Sequence, residues 1–190
     1  MKLYYNPRSR ATVTKWILDE LGVDYELVAI DFEKKEHKSP TFLEINPSGK
    51  LPALSDEDVR VYESAAIGLY LGDKFASKGL APAIGDPQRG KYLSLMVYAT
   101  SQLEPAMGDT LLNLETSPSR GWTDFETVQK SLVQELAGQP YLLGENFGIV
   151  DILVGSAFIW RRMFGQTEEL PEIKAYIDRL CERPHAVKMG

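Results

Sequence analysis

The sequence predicts a two-part fold, a small α/β half followed by an all-helical half. Three observations predict it. Strand and helix signals alternate from Leu3 to Phe75, turn-forming residues crowd the stretch from Ser77 to Pro87, and no convincing strand follows. The expected units are residues 1–76, a linker at 77–86 and a helical domain at 87–190. A chain of 190 residues buries roughly 70% of the surface it exposes when unfolded, so it needs no covalent staples.

Leu3-Tyr4-Tyr5 is a β-prone run stopped by Asn6-Pro7. From Arg10 the pattern turns helical, with Val13, Ile17 and Leu21 on one face, Trp16 beside them and Gly22 as the stop. Tyr25 to Ile30 reads as the next strand. Ser39-Pro40 opens a short helix through Phe42, Leu43 and Ile45 that ends before Asn46-Pro47. Leu51–Leu54 and Val59–Tyr62 are short strands around a turn at Ser55–Asp58, and a helix capped by Ser64 carries Ile67, Tyr70, Leu71 and Phe75 on one stripe. The order β-α-β-α-β-β-α gives a mixed sheet with helices on its faces.

Past the Gly79, Pro82, Gly85 and Pro87 cluster, the stripe Tyr92, Leu95, Met96, Ala99, Leu103 predicts a long helix that Pro105 should bend or divide. Phe125–Leu136, Ile152–Met163 and Ile173–Leu180 supply three more helical stripes.

Composition narrows the function. With 27 acids against 21 bases the net charge is −6, which argues against nucleic acid and anionic membrane surfaces as partners. The single cysteine, Cys181, excludes an internal disulfide, a cysteine-only metal site and a Cys-x-x-Cys redox pair. It is expected to be a buried small hydrophobe beside Leu180. No stretch approaches ~18 consecutive apolar residues, and Met1–Pro7 breaks too early for a signal peptide. The expectation is a cytoplasmic protein.

Ser9 stands where a helix N-cap would stand. Its hydroxyl either caps the helix, worth ~1 kcal/mol, or donates to an anion held at the positive end of that helix, where free N–H groups face the cleft. No His or Asp lies nearby in sequence to make it a nucleophile. Leu51-Pro52 is by default an ordinary trans bond at a sheet edge. A cis bond would turn the Leu51 backbone outward to pair with an extended peptide, like an added strand. Glu63-Ser64 opens the third helix. It reads as a cap with a solvated acid, or as an amino-acid clamp, Ser64 with the helix-start N–H groups for a carboxylate and Glu63 for an ammonium.

The series Tyr5-Asn6-Pro7-Arg8-Ser9-Arg10, Glu36-His37-Lys38-Ser39-Pro40, Asn46-Pro47-Ser48-Gly49-Lys50-Leu51-Pro52-Ala53-Leu54 and Glu63-Ser64-Ala65-Ala66-Ile67 resembles the glutathione S-transferases of the serine-type cytosolic superfamily, with phi-, theta- and bacterial-like members. The likeness continues in Leu103-Glu104-Pro105-Ala106 and in Asp151, within the region of the family's sixth helix. It implies a thioredoxin-like N-terminal domain, a helical C-terminal domain and a homodimer, with glutathione as cosubstrate and no prosthetic group or metal. By the same resemblance Ser9 meets the glutathione sulfur, the Leu51 backbone ahead of a cis Pro52 pairs with the cysteinyl part, Glu63 and Ser64 hold the γ-glutamyl end, and His37, Lys38 and Lys50 lie near the glycyl carboxylate. The acceptor site for a small hydrophobic electrophile is expected to draw on Tyr5, Tyr98, Met107, Trp160 and Met163.

Two departures stand out. The family often places Ser or Thr three residues before the acid of its sixth helix as a capping box; here Gly148 stands before Asp151, so a weaker cap is expected. The chain runs only to Gly190 after Arg183-Pro184, so the roof of the acceptor site is expected to be short. The implied activity is conjugation of the glutathione thiolate to electrophiles, as in detoxification. Glutathione-dependent isomerisation or peroxide reduction, and a non-catalytic binding protein, stand as the rival readings. Serine at position 9 argues against mixed-disulfide chemistry, since its oxygen cannot form that bond.

Overall fold

A computed structural model describes residues 1–187. The first half forms a four-stranded sheet, ordered β2-β1-β3-β4. Strand β1 (Lys2–Tyr5) runs parallel to β2 (Glu26–Ala29) and antiparallel to β3 (Ala53–Asp56), and β4 (Val59–Tyr62) closes the hairpin. Leu3 at the sheet centre is fully buried. Helix α1 (Ala11–Leu21) lays Val13, Trp16, Ile17, Leu18 and Leu21 into the core, and Gly22, at φ 61°, closes it where a side chain would be strained. A four-residue α2 (Pro40–Leu43) follows, then α3 (Ser64–Lys74).

Several element ends differ from expectation, β2 and α2 being shorter by one or two residues at their ends. β3 begins at Ala53, because its ladder with β1 starts at the Tyr4–Ala53 pair and Leu51-Pro52 lies ahead of it. The turn shrinks to Glu57-Asp58, with Glu57 at φ 53°. At α3 the cap position falls to Glu63, and Ser64 is the first helical residue.

The second half is helical: α4 (Arg89–Tyr98), a π-helical turn at Ala99–Leu103, α5 (Glu104–Leu111), α6 (Phe125–Leu136), α7 (Ile149–Met163) and α8 (Pro171–Cys181). The π turn explains how one rod tolerates Pro105. A proline ring clashes with the carbonyl four residues back; here the backbone widens first, and the Glu104 N–H reaches five residues back to the Ala99 carbonyl. Helix α7 runs through the centre, with every residue from Ile149 to Ile159 buried. One core joins the halves, since Leu3, Trp16, Ile67, Leu71, Met96 and Phe158 belong to a single apolar cluster.

Candidate active site

Helix α1 begins with a compact hydrogen-bonded turn. The Ser9 hydroxyl donates to the Asn6 carbonyl at 2.7 Å and accepts the Ala11 N–H at 3.2 Å. The hydroxyl thus meets the first N–H of the helix from one residue ahead of the cap position, which falls to Arg10 and has no side-chain cap hydrogen bond, so Ser9 does not take the N-cap position that the sequence predicts. The Thr12 and Val13 N–H groups go to the Ser9 and Arg10 carbonyls, so the helix start offers fewer free donors than the sequence predicts. The half-buried Ser9 hydroxyl remains at the positive end of an eleven-residue helix.

Of the other residues expected to hold glutathione, Leu51 is the one whose side chain packs near the start of α1. The Leu51-Pro52 bond is cis. The Leu51 side chain shares a cluster with Ala11 at the start of α1 and with Phe42 and Ala53, while its backbone lies outside the β3 ladder. Glu63 is exposed at φ 71° and ψ 128°, a conformation that costs a non-glycine residue about 1–3 kcal/mol and concentrates at functional sites. It presents the buried Ser64 at the first turn of α3.

His37, Lys38 and Lys50 form a neighbouring group. Lys38 Nζ donates to the Ser48 carbonyl at 3.0 Å. His37 stacks edge-on against Phe32 with ring centroids 4.9 Å apart, and its Nδ1 is buried with no hydrogen-bond partner among the described residues. Lys50 is exposed, its carbonyl accepting from Asn46 Nδ2 at 2.9 Å.

A pairing that the sequence gives no sign of crosses the two halves. Arg10, next to Ser9, ion-pairs with Glu104 at the first position of α5. Burial pushes the Glu104 carboxyl upward, Arg10 pulls it back, and the charge of Glu63 adds to the upward push. Glu63 is therefore within electrostatic reach of the pair, and the chain links Ser9, Arg10, Glu104 and Glu63 across the domain boundary. Arg10 and Glu104 are separated by 94 positions, so no local pattern could couple them.

Beside α1 a crevice of about 510 Å³ is lined by Tyr5, Pro7, Thr12 and Trp16 from the first half and by Trp160 and Met163 from α7. Pro184, His185, Ala186 and Val187 form a further wall, so the stretch after Arg183 does contribute to the crevice. That stretch is anchored by Arg183, which holds Glu20 of α1 through Nε and Nη2 at 2.8 and 2.6 Å and lies 3.6 Å over the Phe147 ring. Of the five expected acceptor residues, the crevice brings together Tyr5, Trp160 and Met163. Tyr98 lies instead in a separate groove of about 270 Å³ with Leu95 and Leu132, because α4 turns that face towards α6. Met107 is packed into the core on the inner face of α5.

Cys181 corrects an expectation: it is exposed. It is the last residue of α8, one step past Leu180, and faces the Arg162–Asp178 ion pair.

The cap of α7 also differs from expectation. Asp151 accepts the Gly148 N–H at 2.8 Å, and the Leu80 carbonyl accepts the Ile149 N–H at 2.8 Å. A Cβ at position 148 would sit 2.9 Å from that same carbonyl. The helix start thus satisfies its first N–H with a backbone carbonyl that only glycine lets approach, while the Asp151 N–H goes to the Gly148 carbonyl at 3.0 Å and not to a side-chain hydroxyl.

A four-stranded mixed sheet flanked by helices and joined to a helical half, with the Ser9 hydroxyl at the start of the first helix and a cis Leu51-Pro52 bond just ahead of β3, defines the class: a thioredoxin-like domain followed by a helical domain. The chain belongs to the glutathione S-transferase family: residues 1–73 match its N-terminal domain and 125–184 its C-terminal domain. It is 31% identical to "Glutathione S-transferase APIC" of Nicotiana tabacum over 205 aligned residues, covering 99% of this chain and 96% of that protein. It is 29% identical to "Glutathione S-transferase 3" of Zea mays, covering 97% and 90%. Among solved structures it resembles the bacterial transferase BphK in a ternary complex, at 26% identity and TM-score 0.80, with 97% and 95% covered. It also resembles a sphingomonad glutathione S-transferase complexed with glutathione, at 28% identity and TM-score 0.75, with 97% and 94% covered.

Proposed function

We propose that this chain conjugates the thiolate of glutathione to small hydrophobic electrophiles, with Ser9 as thiolate stabiliser. The observation that carries this reading is the half-buried Ser9 hydroxyl at the start of α1, in the chain between Pro7 and Thr12, which line the crevice. Leu51 ahead of cis-Pro52 offers its backbone to the cysteinyl part, Glu63 and Ser64 hold the γ-glutamyl end, and His37, Lys38 and Lys50 attract the glycyl carboxylate. Tyr5, Trp160 and Met163 form the acceptor wall. The glutathione-binding unit is residues 1–76, followed by a linker at 77–86 and the helical unit at 87–190. The working form is a cytoplasmic homodimer without a prosthetic group.

The magnitudes allow it. A thiol of pKa ~8.5 is only a few per cent thiolate at neutral pH, and lowering it by about two units needs ~2.7 kcal/mol of preference for the anion. A hydrogen bond from Ser9 to the charged sulfur supplies ~1.5–3 kcal/mol, and the helix dipole ~0.3–1 kcal/mol. Against this, the hydroxyl has one proton, and it currently serves the Asn6 carbonyl. Redirecting it costs about 1 kcal/mol. The sum still reaches the required size at its upper end, with no general base.

The thiolate attacks the electrophilic carbon, the new C–S bond forms, and the leaving group departs with its electron pair. The test is titration of thiolate absorbance for bound glutathione on wild type and on Ser9→Ala. The expected result is a thiol pKa higher by about 1–2 units in the variant; identical values would remove Ser9 from the mechanism.

A further inference from the structure

A second cavity, sharing no residue with the crevice beside α1, opens where the ends of α5, α6 and α7 meet, and its volume is about 760 Å³. That lies within the range of small-molecule sites. Its inner wall carries Arg161, only 3% exposed. Nη1 of this guanidinium donates to Thr110 Oγ1 at 3.0 Å and to Gln166 Oε1, and the Phe125 ring lies 4.3 Å from its central carbon. The opposite edge is unused: Nε is buried with no hydrogen-bond partner among the described residues, and Nη2 makes no hydrogen bond to them.

No carboxylate among the described residues ion-pairs with Arg161; Glu169 and Asp178 are held by its neighbour Arg162. Removing a cation from water without a counter-charge is expensive. Burial pulls this guanidinium below its ordinary pKa, while the charges of Glu168 and Glu169 pull it back.

The Nε–Nη2 edge is the one that receives a carboxylate through two parallel hydrogen bonds. The rim has the opposite sign. Glu115 and Glu168 line the cavity as exposed acids without an ion-pair partner among the described residues, whereas Asp124 caps α6 and Glu126 pairs with Lys130. A bare anion would be repelled at such a mouth; a molecule with a carboxylate at one end and an ammonium at the other satisfies both.

We propose that this cavity is a second ligand site, for an amino acid or short peptide whose carboxylate docks on the free edge of Arg161 and whose ammonium faces Glu168 and Glu115. Its existence does not depend on the role of Ser9.

The experiment is nuclear magnetic resonance on the full-length ¹⁵N-labelled protein, following the Arg161 Nε–H and the Thr116 and Gly165 amides during titration with glycylglycine, acetate and methylamine. Glycylglycine should give saturable shifts, with acetate and methylamine each at least about tenfold weaker. Arg161→Gln should weaken glycylglycine binding about tenfold or more. Glu168→Gln, an exposed change that leaves the fold intact, should weaken it several-fold and leave glutathione conjugation unchanged. The proposal is overturned if none of these resonances saturates with glycylglycine, if acetate binds as tightly, or if Glu168→Gln or a folded Arg161→Gln binds as wild type does.

Discussion

The starts of α1 and α7 are two helix ends in one molecule, each with a short polar side chain accepting a backbone N–H there, and the two side chains are committed to very different degrees. At α7 the capping group, Asp151, is fully buried. It receives the Gly148 and Leu142 N–H groups at 2.8 and 2.9 Å and the Tyr176 hydroxyl at 2.8 Å. At α1 the Ser9 hydroxyl, one residue ahead of the cap position, is half-buried and has a weaker grip, 3.2 Å to the Ala11 N–H. A saturated, dry side chain can only hold structure; an under-committed, half-buried one can exchange partners. The difference teaches which of the two ends is free to take part in the proposed chemistry without appeal to residue type.

The largest effect that would sharpen the contrast is at α7. Asp151→Ala strands two buried N–H groups and a buried hydroxyl, and should cost about 3 kcal/mol or more in stability. Denaturant melts should show it as a lowered midpoint, while glutathione thiol ionisation in the remaining folded protein stays as in wild type.

The pH dependence comes next. Burial, the largest influence, pushes the Asp151 carboxyl up to about 6, against the downward pull of its bonds from Leu142, Tyr176 and Gly148. A raised carboxyl means that the folded state holds the proton more tightly than the unfolded state. Its stabilising contribution is therefore complete below the unfolded pKa near 4 and is lost as pH rises through about 6. Relative to Asp151→Asn, wild type should lose roughly 2–3 kcal/mol of stability between pH 4 and 7. Parallel profiles for the two proteins would show that Asp151 does not titrate in this window.

At α1 the signature should invert. Ser9→Ala should raise the thiol pKa of bound glutathione and slow conjugation at neutral pH by roughly 10-fold or more, yet cost only about 1 kcal/mol of stability for the lost local hydrogen bonds. If it destabilised the fold as much as Asp151→Ala, the contrast would be broken.

The smallest effect is at Gly148. Gly148→Ser restores the family's usual residue type, yet it drives a Cβ to within 2.9 Å of the Leu80 carbonyl. A net loss of about 1 kcal/mol is expected, because the crowding and the strained Ile149–Leu80 bond outweigh a gained cap. Calorimetry reporting a raised Tm would instead mean that the 79–81 loop yields easily.

The fold was largely legible because its signals are periodic. The stripes of α1, α6, α7 and α8 and the alternation in the first half are local patterns that burial must follow. Ends were less legible, since Glu63 takes the cap position of α3 through its own backbone angle of φ 71° and not through a side chain. Ser9, Leu51, Glu63 and Ser64 could be proposed as site residues because they sit in short motifs. The Arg10–Glu104 pair could not, because a contact between residues so far apart in the chain exists only after the two halves pack. Tyr98 and Met107 share the apolar character of Trp160 and Met163, and only the direction in which α4 and α5 turn separates them. Arg161 offered no signal at all: an arginine near a helix end reads as solvated until its burial is seen.

The widened turn at Ala99–Leu103 is where the rod can absorb a change in chain length. Each residue of an α-helix advances the chain by about 100°, whereas a π turn spends one residue more on nearly the same rotation. Deleting a single residue there would restore ordinary winding and leave the face that carries Glu104 nearly where it was, while the same deletion inside α4 would swing everything downstream around the axis and carry Glu104 off Arg10. The extra residue thus keeps the two ends of the rod in register with the first half, and the same one-residue change has opposite consequences a turn apart.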